Sequence, residues 1–270
     1  MSTRFFRRPE FALSLTIVLA LGLAVFLSGC SSFQGSSKKQ AVFDMSHKEI
    51  FSPSAETEMG LSNFSKALSD HGYKLKINQQ PLAAGTLNGA KLLVLAGPMT
   101  ELTQEEQKAV TDFIKKGGSL LVMIHISQPV ISLAEKFDIQ PSISTVCDQA
   151  NPVEDSPQDF YVSDFGDHPL GAKVERLAVF GTWALRTRDG SAASIVARTS
   201  KKAWADLNQD RLLGEDEPQD SYGIVAVSDL GNGKVVFCAD DAILINKFME
   251  VGDNKRFGEN LISWFENKAI

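Results

Sequence analysis

Between residues 41 and 124 the chain alternates two hydrophobic textures. Short stretches at Ala41–Asp44, Tyr73–Ile77 (apolar residues alternating with Lys74 and Lys76), Leu92–Ala96 and Leu120–Ile124 have the length of strands, and the last two, unbroken apolar runs, read as strands covered on both faces. Between them lie segments with apolar residues at helical spacing. Leu61, Phe64 and Leu68 mark one face of a helix predicted over about Ala55–His71, with Gly72 as its stop. Thr103-Gln-Glu-Glu106 has the form of a capping box: a threonine hydroxyl can accept from the third helical N–H while the glutamate reaches back. The helix it opens turns Val110, Phe113 and Ile114 inward and ends at Gly117-Gly118.

The pattern loosens over 140–220, a stretch rich in Asp, Ser and Pro, with short strand-like pieces at Leu177–Phe180, Ala193–Arg198 and Ala203–Ala205. Order returns with Tyr222–Ser228 and Lys234–Ala239, which read as a β-hairpin around Gly231-Asn-Gly233. A last amphipathic helix, about Lys255–Glu266, buries Phe257, Leu261, Trp264 and Phe265. Strands alternating with helices predict an α/β fold, a mainly parallel sheet flanked by helices, here with an irregular β-containing insertion around 140–220.

The N-terminus has a different texture. Arg4, Arg7 and Arg8 precede an apolar run from Phe11 to Phe26. Sixteen helical residues reach only about 24 Å, short for an untilted span of a roughly 30 Å hydrocarbon core. Basic start, apolar run and small residues describe a signal peptide over 1–29. Its ending, Leu27-Ser28-Gly29-Cys30, resembles the bacterial lipoprotein lipobox. That resemblance implies diacylglycerol on Cys30, cleavage before it and acylation of the new amino terminus. An uncleaved anchor with a chance cysteine is the alternative; either way the rest is exported and tethered. Residues 30–40, Ser/Gly-rich, form a flexible tether to a domain over 41–270. Ser31, not Asp, follows Cys30, which under the lipoprotein sorting rule points to the outer membrane, facing the periplasm.

Charge narrows the partners. The chain has 27 basic and 33 acidic side chains; without the three arginines and one glutamate of 1–29 the formal charge is −8. No dense Lys/Arg stripe occurs, which argues against nucleic acid and leaves membrane attachment to the acyl chains. Cys147 and Cys238 remain after Cys30, and they either pair in an oxidising periplasm or pack as two buried thiols. Neither has zinc-type spacing.

Two places carry candidate chemistry. Asp44, His47 and Glu49 follow the first strand, while Asp240 and Asp241 end another, at the edge where open α/β sheets bind ligands. They could hold a metal or a polar ligand, or Asp44 and Asp240 could simply cap backbone N–H groups. The second place is Asp206-Leu-Asn208-Gln-Asp210-Arg-Leu212-Leu-Gly214-Glu-Asp-Glu217. It puts oxygen side chains at positions 1, 3, 5 and 12 of a twelve-residue calcium loop, with the Leu212 carbonyl at position 7. Arg211 stands where such loops carry glycine, and Pro218 prevents a following helix, so the reading is an isolated loop of weak affinity, Kd about 10⁻⁴ to 10⁻³ M. The alternative is a solvated acidic turn.

Several of these segments together resemble the class I glutamine-amidotransferase-like superfamily: Val42-Phe-Asp44-x-x-His47, Leu92–Pro98 leading to Leu102-Thr-x-Glu-Glu106, Phe113-x-x-x-Gly117-Gly-Ser-Leu-Leu-Val122, Asp167-His168-Pro169 and Val235-Val-Phe-x-x-Asp240. The likeness covers about 41–265. It is greatest to a non-catalytic branch found in gliding-motility ABC-transporter accessory proteins and in the N-terminal domains of intraflagellar-transport proteins. It implies a flavodoxin- or amidotransferase-like sheet and an accessory role beside an envelope or transporter partner. The nucleophile elbow such enzymes need is missing: the turn after Leu120–Ile124 reads His125-Ile126-Ser127. Ser127 with His125 or His168 as base is conceivable, but Ser127 lacks the small neighbours of an elbow. The expectation is a lipid-anchored, non-enzymatic binding protein; the alternative is a metal-assisted or His/Asp-dependent hydrolase using Asp44, His47 and Asp240.

Overall fold

The computed structural model describes residues 39–268 and 270. Cys30, the signal peptide and most of the tether lie outside these residues. Among the described residues no helix is long and apolar enough to cross a membrane.

The chain is a mixed α/β fold on a nine-stranded sheet. Its elements are β1 (Gln40–Asp44), α1 (Ser62–Asp70), β2 (Lys74–Asn78), β3 (Ala90–Ala96), α2 (Gln104–Lys115), β4 (Ser119–Met123), α3 (Ile131–Glu135), β5 (Ile139–Pro141), β6 (Thr145–Cys147), β7 (Asp159–Val162), β8 (Leu177–Phe180), β9 (Leu185–Thr187), β10 (Ser194–Arg198), β11 (Trp204–Asp206), β12 (Gly223–Leu230), β13 (Gly233–Cys238) and α4 (Asn254–Phe265). Strand order is β2-β1-β3-β4-β13-β12-β9-β5, with β10 also on β12. From β2 to β13 the pairing is parallel; β12, β9, β5 and β10 add antiparallel.

Alternation along the central strands sorts side chains into two cores. Phe43, Leu92, Val94, Leu121, Met123 and Val236 face the layer holding Phe64 and Leu68 of α1 and Phe257, Leu261 and Phe265 of α4. Val42, Leu93, Leu95, Leu120, Val122 and Phe237 face Val110 and Ile114 of α2 and Leu133 of α3. Burial on both faces is why these strands read as unbroken apolar runs rather than alternating ones.

Two expectations need correction. The helix predicted over Ala55–His71 begins only at Ser62, because a distant side chain organises the preceding segment. Asn246 donates to the Ala55 and Thr57 carbonyls (3.0 and 2.7 Å) and accepts from the Asn63 N–H (2.9 Å), which closes residues 55–61 as a turn. Gly60 is folded so tightly against the Ala55 carbonyl that a Cβ would lie 1.8 Å from its oxygen. Second, part of the insertion belongs to the main sheet: β5, β9 and β10 extend it, while β6·β11 and β7·β8 form two separate ribbons. Of the two alternatives for the cysteines, the structure has two buried thiols, Cys147 and Cys238 being free. The hairpin forms as expected, with a two-residue Gly231-Asn232 turn in which Gly231 has φ +65°.

Candidate functional site

The carboxyl ends of the parallel strands bring together Asp44 from β1, Asn78 from β2 and the loop 45–50, under the amino end of α2. Parallel register sets Asp44 opposite Asn78, whose Nδ2 donates to Asp44 Oδ1 at 2.8 Å. Ser46 Oγ donates to the same oxygen at 2.9 Å. The loop then turns through Lys48 at φ +57°. That reversal folds His47 back over the strand end, Nδ1 at 2.6 Å from Asp44 Oδ2 and Nε2 at 3.3 Å from Glu106 Oε1. The Met99 and Thr100 N–H groups donate to the His47 carbonyl and pin the turn to the segment after β3.

Glu106 has a double role that the sequence did not reveal. The capping box exists as predicted: Glu106 N–H donates to Thr103 Oγ1 at 3.3 Å and the Thr103 N–H donates to Glu106 Oε2 at 2.9 Å. The other oxygen, Oε1, accepts from Leu82 N–H and faces His47. The glutamate of a helix cap thus also serves as a counter-ion. A buried cap glutamate would have been the only signal, and burial is not written in the local sequence.

The electrostatics follow from these contacts. Burial opposes charge on Asp44, yet His47 and the Asn78 amide, bonded to its two oxygens, hold its pKa below the ordinary value. Burial likewise works against an imidazolium, but Asp44, Glu106 and Glu49 together raise His47 above its usual range. Glu106 is held low despite burial by the Thr103 and Leu82 donors and by His47. Glu49 is different: burial, with the Asp44 carboxylate beside it, pushes its carboxyl up to about 8. Its Oε2 accepts from the His47 N–H, while Oε1 is buried without a partner. Asp44, His47 and Glu49 each place one ligand atom within 4.8 Å of the others, and an imidazole nitrogen with two carboxylates could hold a transition metal.

Asp240 and Asp241 take other partners. Asp240 is a backbone clamp, accepting from Phe180 N–H at 2.6 Å and Ala242 N–H at 2.7 Å. Full burial, with Asp241 next to it, raises it to about 8. Asp241 Oδ2 lies 2.9 Å from His125 Nδ1, a pair packed on Gly97, where an added Cβ would sit 2.7 Å from that oxygen. The Asp241 carboxylate beside it raises the His125 pKa. Ser127 is fully buried with no partner for its hydroxyl, and His168 accepts from Leu170 N–H through Nδ1. Neither has the contacts of a nucleophile and its base.

In the insertion, Asp206 ends β11 with 1% exposure and Glu217 is 8% exposed. Asn208 Oδ1 accepts from Asp210 N–H (3.0 Å) and Asp210 Oδ1 from Leu212 N–H (2.7 Å). Glu217 reaches back across the loop, accepting from Leu207 N–H at 2.8 Å and Gly214 N–H at 2.9 Å. Arg211 takes φ +63°, the left-handed backbone that glycine usually supplies. Asp206 also lies 3.9 Å from the Cys147 thiol, whose pKa burial and this carboxylate push up to about 12. Beside the loop, a groove of about 450 Å³ is lined by Pro141, Ile143, Ala184, Arg186, Pro218 and Tyr222.

The fold and this arrangement define a mixed α/β domain with a largely self-satisfied crest and an acidic insertion. The chain belongs to the DUF4350 family, a domain of unknown function, which matches residues 53–262. No curated protein matches it. Among solved structures it is similar to the mmIFT52 N-terminal domain, with a TM-score of 0.71 at 16% identity over 86% of this chain and 99% of that one. It is also similar to the cytoplasmic protein STM1381 of Salmonella typhimurium LT2, TM-score 0.55, 12% identity, 84% and 99% covered. A ThuA-like protein of Bacteroides uniformis gives TM-score 0.50, 12% identity, 84% and 90% covered. At these identities the likeness is one of fold.

Proposed function

We propose that this protein is a lipid-anchored, non-catalytic binding module of the bacterial cell envelope, tethered through Cys30 and facing the periplasm, with an amidotransferase-like domain that engages a protein partner. The observation that supports the reading is the use of the crest residues. Asp44, His47, Glu106 and Asn78 neutralise and orient one another inside the protein, and Asp240 is spent on two backbone N–H groups. A hydrolase leaves such groups facing substrate. The partner surface is the groove beside Ile143 and Tyr222, and the family resemblance points to an ABC-transporter-linked complex as its occupant.

The test is a photo-crosslinking residue at Ile143, 73% exposed, in the full-length membrane-anchored protein. The expected result is one reproducible envelope partner, lost when Cys30→Ser releases the protein or when Arg186→Glu alters the groove. No crosslink in membranes, with the domain folded, would overturn the proposal.

A second reading, a metal-assisted hydrolase, draws on the Asp44–His47–Glu49 cluster. It requires stoichiometric transition metal in the purified protein, lost in His47→Gln, together with hydrolytic turnover that the same variant lacks.

A further inference from the structure

The parallel strands all enter the sheet through lysines. Lys39 immediately precedes β1, Lys74 opens β2 and Lys91 is the second residue of β3. Lys115 and Lys116 lead through Gly117-Gly118 into β4, and Lys234 is the second residue of β13. Register sets these entries side by side: Gln40 stands opposite Lys74 and Ala90, and Ser119 opposite Leu92 and Lys234. Neighbouring strands lie about 4.8 Å apart, so the row crosses about 20 Å of one edge. No basic run marks this edge in the sequence, because each lysine arrives from a different crossover. The acids nearby are answered. Glu266 is covered by Lys39, Lys268 and His71. Asp70 pairs with Lys66 and Asp112 with Lys108, each at 2.6 Å, and Asp229 stands opposite Lys234 across the hairpin. Lys74, Lys91, Lys115 and Lys116 are exposed, and among the described residues none of them makes an ion pair. The crest, at the far end of the same strands, is acidic instead.

We propose that this lysine edge is a docking surface for the headgroups of anionic phospholipids, which stands the domain on the membrane with its crest turned away. The inference rests on the anchoring through Cys30 proposed above. Chain length directs it as much as charge does. Eight residues separate Cys30 from Lys39, a reach of at most about 30 Å, and the chain enters the domain at this edge. Screening confines a surface charge to about 8 Å at physiological ionic strength, so lysines act on headgroups only where the protein is held against them. A short tether ending at Lys39 holds this edge and no other. Each lysine brought to an anionic surface tightens binding by about fivefold, so even a few unpaired ones fix an orientation that acyl chains alone leave free. A hollow of about 250 Å³ opens on the same edge between Lys91 and Lys116, walled by Asn88 and Phe113, with room for a phosphate beside two ammonium groups. Asp112, also on its wall, is the acid already drawn to Lys108.

The experiment takes the full chain, purified from membranes in detergent, into vesicles of phosphatidylcholine alone or mixed with phosphatidylglycerol. Lysine acetylation read by mass spectrometry should fall about fivefold at Lys74, Lys91 and Lys116 in the anionic vesicles and recover in high salt. Lys136 and Lys201, exposed but outside this edge, should react equally in both. The combined variant Lys74→Glu, Lys91→Glu and Lys116→Glu changes only exposed, unpaired side chains, so it keeps the fold. It should leave Lys115 as reactive in anionic vesicles as in neutral ones. Lys136→Glu, Lys201→Glu and Lys202→Glu, the same change of charge placed elsewhere, should keep the protection. Equal acetylation in the two kinds of vesicle overturns the proposal. So does protection seen only in native membranes, which would assign the edge to an acidic protein. The anchor is read separately, by acyl mass on Cys30 and flotation with neutral vesicles. If those fail, the anchoring falls, and the edge is still judged by its protection in anionic over neutral vesicles.

Discussion

At the crest of the parallel sheet, Asp44 and Glu106 hold His47 between them, and Asn78 and Ser46 fill the remaining acceptor positions. In the 206–217 loop Asp206 and Glu217 are about as buried, yet their donors are backbone N–H groups and the Cys147 thiol, with no cation among them. Both regions bury acid. One carries its own cation in the chain, and the other answers its carboxylates with backbone donors. An internal counter-ion and a cage of backbone donors are two ways to keep a carboxylate out of water.

Removing the internal cation is the strongest way to break this contrast. His47→Ala leaves Asp44 and Glu106 facing each other without a positive charge, and should cost about 3–5 kcal/mol in denaturant unfolding. A loss below 1 kcal/mol would mean that the crest is not charge-balanced by His47. The pH dependence should be nearly as large. Glu49 and Asp240, raised to about 8, and His47, raised above its usual value, keep protons in the folded protein that the unfolded chain has released. Stability therefore falls as pH climbs from about 5 to 8. Asp44 and Glu106, held low, give stability that is lost only as pH drops below about 4. Each pH unit over which the folded protein holds one extra proton costs about 1.4 kcal/mol. Melting should thus peak near pH 5, and Glu49→Gln should flatten the decline; a maximum above pH 7 would contradict the assignment.

Smaller effects sharpen the geometry on each side. Gly97→Ala, at φ +70° and against Asp241 and His125, should destabilise by about 2 kcal/mol. In the loop, Arg211→Gly should stabilise the protein by about 0.5–1 kcal/mol by relieving φ +63°. An unchanged or lower midpoint there would mean that Arg211 contributes contacts that outweigh its backbone strain.

Much of the framework was legible because strand and helix leave periodic signatures. Leu92–Ala96 and Leu120–Ile124 fall within one or two residues of β3 and β4, and Thr103–Glu106 is the capping box it resembled. The helix before Gly72 was over-extended because its true start depends on Asn246, some 180 residues away, which no local window contains. The insertion was blurred for a related reason. Strands of three residues such as β5, β6 and β9 carry too little periodicity to announce themselves, and they exist because a neighbour's edge is there to pair with.

The site divides along the same line. Sequence alone placed Asp44, His47 and Glu49 together, and it set out the oxygen spacing from Asp206 to Glu217, because both groupings lie within a dozen residues. Only the tertiary structure could decide which of these acids are answered. Parallel pairing brings Asn78 to Asp44, and the packing of α2 aims Glu106 at His47. The burial of β11 against Cys147 leaves one oxygen of Asp206 without a donor. Spacing along a chain proposes ligands, but solvent exclusion and partner geometry are properties of the packed molecule, and they determine which donors each buried carboxylate finds.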